Sequence, residues 1–369
     1  MTAKRQNRIG AVASTLVAVA IVGPGSAPLA AQSIDRVIVV TLDGFRWQDL
    51  FAGAERPLIT GAEGGVRDTA GTLGRFWRPD PRDRRRALLP FLWGTVAEAG
   101  LLLGESTTAG VFRVENTIRF SYPGYNELFT GEPDPRIDSN AKIPNPNVTV
   151  LEWLSQRPGF RNSIEVYGSW DVFPFIFNAT RSKLPVNGDG LPFPTAKTEA
   201  ERAMNEMTEW LPTHWASARL DAPTMAGALA ALRTRRPRIL TVLLGETDEW
   251  AHERRYDLYL DAAHRSDRFI ELLWTTAQSL PEYRGRTSLL VSVDHGRGPT
   301  GRDWTDHGEE VPPADRVWMA VMGPNVGTEP RLRAQSGTQS QFAATLARLV
   351  GEDWQSARPG AAPPIRLRP

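Results

Sequence analysis

Aspartate and histidine residues follow two predicted strands of this 369-residue sequence, at spacings that suit a bound metal ion. Asp248 and His252 follow the run ILTVLLG, and residues four apart share one face of a helical turn, so both could reach one cation. Asp294 and His295 follow the run SLLVSV, and adjacent ionisable side chains are costly to bury without a metal or another partner. The pattern indicates metal chemistry, with a local ion pair between Asp248 and His252 as the alternative.

Two more residues are candidate ligands. Asp43 ends the first predicted strand, in the segment VVTLDGF. The carboxyl edge of an open parallel sheet is the usual place for a ligand site, although an Asp-Gly step is also an ordinary turn. His307 lies in WTDHGEE, which taken alone is typical of an exposed loop. His214 and His264 lack such a setting and are assigned to the surface or a helix face. The sequence contains no cysteine, so thiolate chemistry and Cys-based zinc sites are excluded.

Ser121 is the candidate nucleophile, in the segment IRFSYPGYNELFTG. The Tyr122-Pro123 step and the helical pattern after it place the hydroxyl at a helix N-terminus, where free N–H groups and the dipole stabilise an anion. A simple N-cap serine is the alternative interpretation.

Strand-like and helical patterns alternate along the chain. This alternation predicts an α/β fold, a three-layer α/β/α sandwich with a mostly parallel central sheet. The predicted strands are Ile34 to Leu42, Ile239 to Leu244, Ser288 to Val293 and Val317 to Val321. The predicted helices are Pro90 to Ala99, Asn147 to Ser155, Pro223 to Thr234, Asp257 to Gln278 and Gln341 to Val350.

The N-terminus resembles a secretory signal. Lys4, Arg5 and Arg8 precede an apolar run that ends before the small residues near Ala31. Residues 1–31 are therefore predicted to be a signal peptide, and the protein to be exported, periplasmic or secreted. The apolar run is shorter than the ~20 residues that span a bilayer, so no stable membrane span is expected after cleavage.

One catalytic domain is predicted over residues 32–356, followed by a poorly ordered tail at 357–369 that is rich in Pro and Arg. Two irregular stretches, near 56–86 and 170–215, are predicted to be cap insertions that cover the site or bind substrate. The formal net charge is +1, so no global field favours nucleic acid as a partner. The arginines at 82–86 are interpreted as a solvated helix face.

Taken in order, these segments resemble the alkaline phosphatase superfamily, and within it the type I phosphodiesterase and nucleotide pyrophosphatase branch. The shared features are a strand ending in Asp-Gly, a Ser before an aromatic-Pro step, a D-x-x-x-H segment, a D-H-G segment and a late H-G segment. All five occur between residues 43 and 308.

The resemblance implies a two-metal site with Ser121 between the ions. One ion would be held by Asp248, His252 and His307, and the other by Asp43, Asp294 and His295. Two divalent ions are therefore expected, with Zn²⁺ the natural choice for this mixture of ligands and Mn²⁺ a possibility. The implied activity is hydrolysis of a small-molecule phosphate ester, monoester or diester, through a phosphoserine intermediate on Ser121.

The sequence departs from that branch after Pro123, where Gly124 stands in place of Asn. Asn126 or Asn140 is the candidate donor to a phosphoryl oxygen. Other candidate substrate-binding residues are Trp170 and Arg181, since a diester calls for an apolar wall and a monoester for an extra cation.

Three other functions fit the sequence less well. A sulfatase shares the fold, but Tyr125 stands where its motif requires arginine. A secreted binding protein would have no physical need to keep this cluster of charge. A phosphoryl transferase or mutase fits poorly with export.

Overall fold

The structure is a computed structural model that describes residues 1–2, 35–105, 110–193, 198–299 and 301–368. Apart from its first two residues, the predicted signal peptide lies outside these ranges. A compact unit runs from residue 34 to residue 369. Across the described ranges, no helix combines the length and apolar character needed to cross a membrane.

The described residues form a seven-stranded sheet in the order β2-β9-β7-β1-β6-β4-β5 and a small sheet in the order β10-β3-β8. Strands β1, β6, β7, β4 and β5 run parallel, and β9 is antiparallel to its neighbours β7 and β2. The strands are β1 (Arg36–Leu42), β2 (Gly100–Leu103), β3 (Phe112–Arg113), β4 (Ile164–Gly168), β5 (Val186–Asn187), β6 (Ile239–Leu244), β7 (Thr287–Ser292), β8 (Arg316–Val317), β9 (Met319–Met322) and β10 (Gly337–Thr338).

Helices surround the sheet. They are α1 (Trp47–Ala52), α2 (Gly61–Gly64), α3 (Thr69–Phe76), α4 (Pro81–Leu88), α5 (Ala97–Ala99), α6 (Ser121–Thr130), α7 (Val150–Ser155), α8 (Phe173–Ile176), α9 (Ala179–Ser182), α10 (Glu199–Trp210), α11 (Asp221–Thr234), α12 (Glu246–His252), α13 (Tyr256–Ser279), α14 (Pro330–Arg333), α15 (Gln341–Leu349) and α16 (Trp354–Ala357). Helices α11 and α13 contact each other and pack on β4, β6, β1 and β7, while α15 packs on β1 and contacts α6 and α7.

The central strand β1 shows why the apolar runs become sheet interior. Its sequence RVIVVTL is buried from its second residue to its last. A β-branched run of this kind suits a parallel strand covered by helices on both faces. The predicted fold class is confirmed, and each predicted strand matches an observed one to within two residues, except that the run from Val317 is interrupted at Trp318 and divided between β8 and β9.

The C-terminal segment is the main correction to the predicted organisation. Residues 357–368 were expected to be poorly ordered, yet Ala361 and Ile365 are buried. The Ala362 and Ile365 N–H groups donate to Gly131 O and Thr345 Oγ1, at 2.9 and 3.0 Å. Main-chain hydrogen bonds to the domain therefore hold a segment whose Pro and Arg content suggested a tail.

The two predicted insertions are more regular than their sequences suggest. The first contains α2, α3 and α4, and the second contains α8, α9, β5 and α10. Trp170 and Asp171, at the start of the second insertion, line the cavity described below. The remaining part of the cap prediction, that these stretches cover the site or bind substrate, stays a prediction.

Candidate metal and nucleophile site

Three neighbouring parallel strands bring the candidate ligands together. Strands β7, β1 and β6 lie side by side, and their carboxyl ends meet at one edge of the sheet. Asp43 follows β1, Asp294 lies two residues after β7, and Asp248 lies in the first turn of α12, which begins two residues after β6. Residues far apart in sequence therefore converge because the strands that precede them are hydrogen-bonded neighbours.

Asp43, Asp294 and His295 form the first cluster. His295 Nε2 lies 3.4 Å from Asp43 Oδ1 and 3.5 Å from Asp294 Oδ2. The Gly44 N–H donates to Asp294 Oδ1 at 3.0 Å, whereas the buried Oδ2 has no hydrogen-bond partner among the described residues. An unpartnered buried carboxylate oxygen is costly, and a cation beside it would satisfy it.

Asp248, His252 and His307 form the second cluster. His252 Nε2 lies 3.2 Å from Asp248 Oδ2 and 3.1 Å from His307 Nε2. His307 Nε2 lies 3.8 Å from Asp248 Oδ1. Two imidazole nitrogens facing each other beside a carboxylate make a donor set suited to one cation.

Main-chain carbonyls orient two of the imidazoles. His295 Nδ1 lies 2.9 Å from Gly296 O, and His307 Nδ1 lies 2.8 Å from Arg119 O. A carbonyl that accepts a hydrogen bond from Nδ1–H directs Nε2 towards the metal position, which is how metal-binding histidines are commonly held.

The electrostatics of both clusters suit a cation. Burial, reinforced by the charge of Asp43, raises the pKa of Asp294. Burial and the nearby His295 charge lower the pKa values of His252 and His307, so both rings are neutral near pH 7. Against the effect of burial, the charges of Asp294 and Asp43 raise the pKa of His295 to about 9, so a metal ion at this position would displace its proton. Neutral imidazoles and crowded carboxylates are the forms that bind divalent metals, and the residues present therefore fit such an ion.

Ser121 is nearly buried and lies against the first cluster. It is the first residue of α6, and its Oγ lies 3.3 Å from His295 Nε2 and 3.5 Å from Asp43 Oδ1. The Tyr122 N–H is already donated to Asn140 Oδ1, and Pro123 has no N–H. This helix end can therefore stabilise an anion only through the Ser121 N–H and the helix dipole. The sequence had suggested several free N–H donors.

A cavity of about 340 Å³ opens beside Ser121. Predicted residues that line it are Asp43, Ser121, Asn140, Trp170, Asp248 and His252. Three ionisable lining residues were not singled out from the sequence: Lys142, Asp171 and Glu249. Lys142 Nζ pairs with Asp171 Oδ2 at 2.5 Å, and burial raises the pKa of Glu249 to about 7.

Two predicted substrate-binding residues do not reach the cavity. Asn126 is fully buried, and its Oδ1 accepts hydrogen bonds from Asn145 and Asn147 at 3.2 Å each. Arg181 makes two hydrogen bonds to the Glu152 carboxylate, at 2.8 and 2.7 Å. Both side chains are held by hydrogen bonds to other parts of the fold and do not line the cavity. The structure therefore does not support the prediction that they bind substrate.

The two remaining histidines belong to neither cluster and do not line the cavity. His214 pairs with Glu253 at the surface, and His264 on α13 bonds Leu88 O at 2.8 Å.

Comparison with known proteins gives matches at the level of structure. No family model matches the sequence, and no curated protein matches it. A solved structure named Ps i-CgsB is 12% identical, with 90% of this chain and 75% of that chain covered and a TM-score of 0.50. Murine ectonucleotide pyrophosphatase/phosphodiesterase 5 is 12% identical, with 89% and 96% covered and a TM-score of 0.49. A Vibrio parahaemolyticus protein in the alkaline phosphatase superfamily is also 12% identical, with 87% and 67% covered and a TM-score of 0.49.

The fold, a mostly parallel seven-stranded sheet flanked by helices, is similar to that of Ps i-CgsB. At 12% identity the likeness concerns the fold alone and does not extend to activity.

Two residues of this site were not expected from the sequence. Arg297 is fully buried, and its guanidinium pairs with the Asp248 carboxylate. Burial lowers the pKa of Arg297 to about 9, which still leaves it charged at neutral pH. Gln339 Nε2 donates to Gly124 O and to Asp294 O, at 2.8 Å each. The only signal in the sequence was the position of Arg297, two residues after His295.

Proposed function

We propose that this chain is a two-metal hydrolase of phosphate esters, with Ser121 as the nucleophile. The observation that carries the proposal is the convergence of six candidate ligands and one hydroxyl at the carboxyl edge of the sheet. The two clusters share a boundary, since His295 Nε2 lies 3.4 Å from Asp43 Oδ1 and 3.7 Å from Asp248 Oδ1. Such a cluster would be expensive to bury in a protein that performs no chemistry.

Asp43, Asp294 and His295 would hold one ion, and Asp248, His252 and His307 the other. Imidazole and carboxylate ligands favour zinc, with manganese the second choice. When bound, a pair of divalent ions supplies Lewis acidity and charge neutralisation at the phosphoryl group. Ser121 Oγ lies 3.3 Å from His295 Nε2 and 3.5 Å from Asp43 Oδ1 and would complete the site.

The chain's own residues would act in two steps. Ser121 Oγ attacks phosphorus, the bond to the leaving alcohol breaks, and a phosphoserine forms. Water then attacks the phosphoserine, which releases the phosphate product and restores the hydroxyl. Each step inverts phosphorus, so the net outcome is retention. Asn140, whose Oδ1 is held by the Tyr122 N–H, presents its Nδ2 to a phosphoryl oxygen in both steps.

The cavity favours a diester over a monoester. Among the described residues that line it, the lysine or arginine present is Lys142, and its charge is paired with Asp171. A monoester dianion would lack a free cation there and would lie near the Glu249 carboxyl, whereas a diester carries one charge less. The partly exposed indole of Trp170 offers an apolar wall for the second ester group.

A sulfatase is the rival hydrolase. The residue at its arginine position is Tyr125, which is buried with its hydroxyl 3.1 Å from Thr41 Oγ1 and 3.4 Å from Asp43 Oδ2. That side chain therefore contributes no cation to a sulfate ester. Export to the periplasm or medium is likewise a proposal, and it rests on the residues of the N-terminal segment.

A substrate panel tests the function. The zinc-loaded protein is assayed for release of nitrophenol from bis-p-nitrophenyl phosphate, p-nitrophenyl phosphate and p-nitrophenyl sulfate, with chelator-treated protein as the control. We expect kcat/KM to be higher for the diester than for the monoester by about tenfold or more, with the sulfate slowest. Preferred turnover of the sulfate would favour the sulfatase. No zinc bound and no turnover would favour a binding protein.

A further inference from the structure

Arg297 places a fixed, buried positive charge beside Asp248 in the candidate metal site. Its side chain is fully buried beneath Gly44, where a Cβ would meet Arg297 Nε at 2.9 Å. Its guanidinium donates to the Asp248 carboxylate, to Asp248 O at 3.2 Å and to Thr305 O. An arginine side chain in such a position stays charged at neutral pH and cannot move without repacking its surroundings.

The ion pair of Arg297 is with Asp248 of the second cluster and not with an aspartate of the first cluster. Asp248 Oδ1 is paired with Arg297, which leaves Oδ2, 3.2 Å from His252 Nε2, as the oxygen facing a metal. Within the described part of the chain, Asp43 and Asp294 have no ion pair with lysine or arginine. The Asp294 Oδ2 atom has no hydrogen-bond partner there at all.

The two clusters therefore differ in the charge they offer a cation. Two aspartates without a lysine or arginine of the described ranges at ion-pair distance face the first position, where Arg297 acts on Asp43 only from farther away. A single aspartate, already paired with the Arg297 guanidinium, faces the second position. A unit charge a few ångströms from a divalent ion weakens its binding substantially, even at a protein's effective dielectric. The second cluster is also the more open one, since 43% of the His252 side chain is exposed.

We infer that Arg297 makes the two metal positions unequal, with tight binding at Asp43, Asp294 and His295 and weak, exchangeable binding at Asp248, His252 and His307. This inference rests on the proposed two-metal function and adds a means of regulation to it. The protein would carry one resident ion, and the second position would fill only when free zinc is abundant. Turnover would then follow the zinc concentration around the exported enzyme.

The test is a zinc-binding isotherm of the metal-free full chain, measured by calorimetry and by competition with a chromophoric chelator. Wild type should bind two ions in two steps whose dissociation constants differ by about tenfold or more. In Arg297→Met, which is apolar and similar in length, the weak step should tighten by roughly 10- to 100-fold. In Arg297→Lys, which keeps the charge, the two steps should stay unequal. Equal steps in wild type, or an unchanged weak step in Arg297→Met, would overturn the inference.

A second variant assigns the weak step without disturbing the core. His252→Ala removes a half-exposed ligand and should abolish the weak step while the tight step keeps its dissociation constant. Loss of the tight step instead would overturn the assignment. Thermal unfolding of each variant shows whether it is folded. If Arg297→Met does not fold, the isotherms of wild type and His252→Ala still test whether the two zinc steps are unequal and which cluster binds weakly.

The isotherm does not depend on turnover, so the two hypotheses fail separately. Two unequal zinc steps without hydrolysis of any phosphate ester would overturn the proposed function alone. Hydrolysis with two equal steps would overturn the present inference alone, and absence of zinc binding would overturn both.

Discussion

Gly124 lies so close to Asp294 that a Cβ on Gly124 would meet the Asp294 carbonyl oxygen at 2.3 Å. Gln339 Nε2 fixes the same contact by donating to the carbonyl oxygens of both residues. The helix that begins with Ser121 is therefore held in register against the loop that carries Asp294 and His295. This contact explains why glycine follows Pro123 in this chain.

Gly124→Ala should move the nucleophile relative to its site. The added methyl must push α6 away from Asp294, because a backbone carbonyl cannot rotate aside. We expect kcat to fall by roughly 100-fold and the free energy of unfolding to fall by about 1–3 kcal/mol. Steady-state kinetics and urea unfolding measure the two effects. Gly74→Ala is the matched control, since a Cβ at Gly74 has no neighbour within 4 Å, and full activity in Gly124→Ala would contradict the proposed fit.

Ser121→Ala should separate metal binding from turnover. The six proposed ligands remain, so the zinc stoichiometry should not change, whereas loss of the attacking oxygen should lower kcat by about 10³-fold or more. Metal analysis and the diester assay on the same preparation measure both. An unchanged rate would eliminate Ser121 as the nucleophile.

The sequence could predict those site residues whose position is set by their neighbours in the chain. Asp43 and Asp294 could be placed because they follow runs whose apolar character predicts buried parallel strands, and such strands share a carboxyl edge. Arg297 could not, since a single arginine after a glycine reads as a surface residue until the chain folds over it.

The same limit explains the two wrong substrate residues. Asn126 and Arg181 have side chains that could bind a phosphate ester. Their hydrogen-bond partners are distant in sequence and could not be predicted from it; they are Asn145 and Asn147 for Asn126, and Glu152 for Arg181. Which polar groups satisfy one another is a property of tertiary structure, because nearly every buried polar group must find some partner. The C-terminal segment was misjudged for the same reason.

Substitutions of Asn140 distinguish substrate binding from helix capping. Asn140→Asp keeps the oxygen that accepts from the Tyr122 N–H but replaces the Nδ2 donor with a negative oxygen, whereas Asn140→Ala removes both. If Nδ2 holds a phosphoryl oxygen, Asn140→Asp should lower kcat/KM for the diester more than Asn140→Ala, by about 100-fold against about tenfold. Wild-type kinetics in Asn140→Asp with a defect in Asn140→Ala would mean that the residue only caps α6.

Asp267 should give the metal-free protein a pH-dependent stability. Its buried carboxylate accepts from the Phe91 and Leu92 N–H groups at 2.7 and 2.8 Å, and burial raises its pKa to about 7. A carboxyl group whose pKa is raised on folding contributes stability that is present below pH ~4 and lost as the pH rises towards 7. The free energy of unfolding of wild type, relative to Asp267→Asn, should therefore fall by about 2–3 kcal/mol from pH 5 to pH 8. Urea unfolding in chelator at both values measures the difference, and a rise with pH would contradict the assignment.

Asp221 is expected to position the helix that carries two proposed ligands. Its carboxylate accepts from the Gly245 and Glu246 N–H groups at 2.8 and 3.1 Å, and Glu246 Oε1 accepts from the Asp221 N–H at 2.8 Å. The first turns of α11 and α12 therefore cap each other. The direction of α12, and with it the placement of Asp248 and His252, depends on this exchange.

Asp221→Ala should therefore weaken zinc binding as well as stability. It leaves buried N–H groups without acceptors, so we expect the free energy of unfolding to fall by about 1–3 kcal/mol. The weaker zinc step should also lose about tenfold in affinity, because α12 is no longer held. Thr149→Ala is the matched control, since Thr149 Oγ1 caps α7 by accepting from the Glu152 N–H at 3.2 Å, and α7 carries no proposed ligand. It should lower stability and leave both zinc steps unchanged. If Asp221→Ala also lowers stability without changing either zinc step in the folded protein, the carboxylate supports the fold but does not position the ligands.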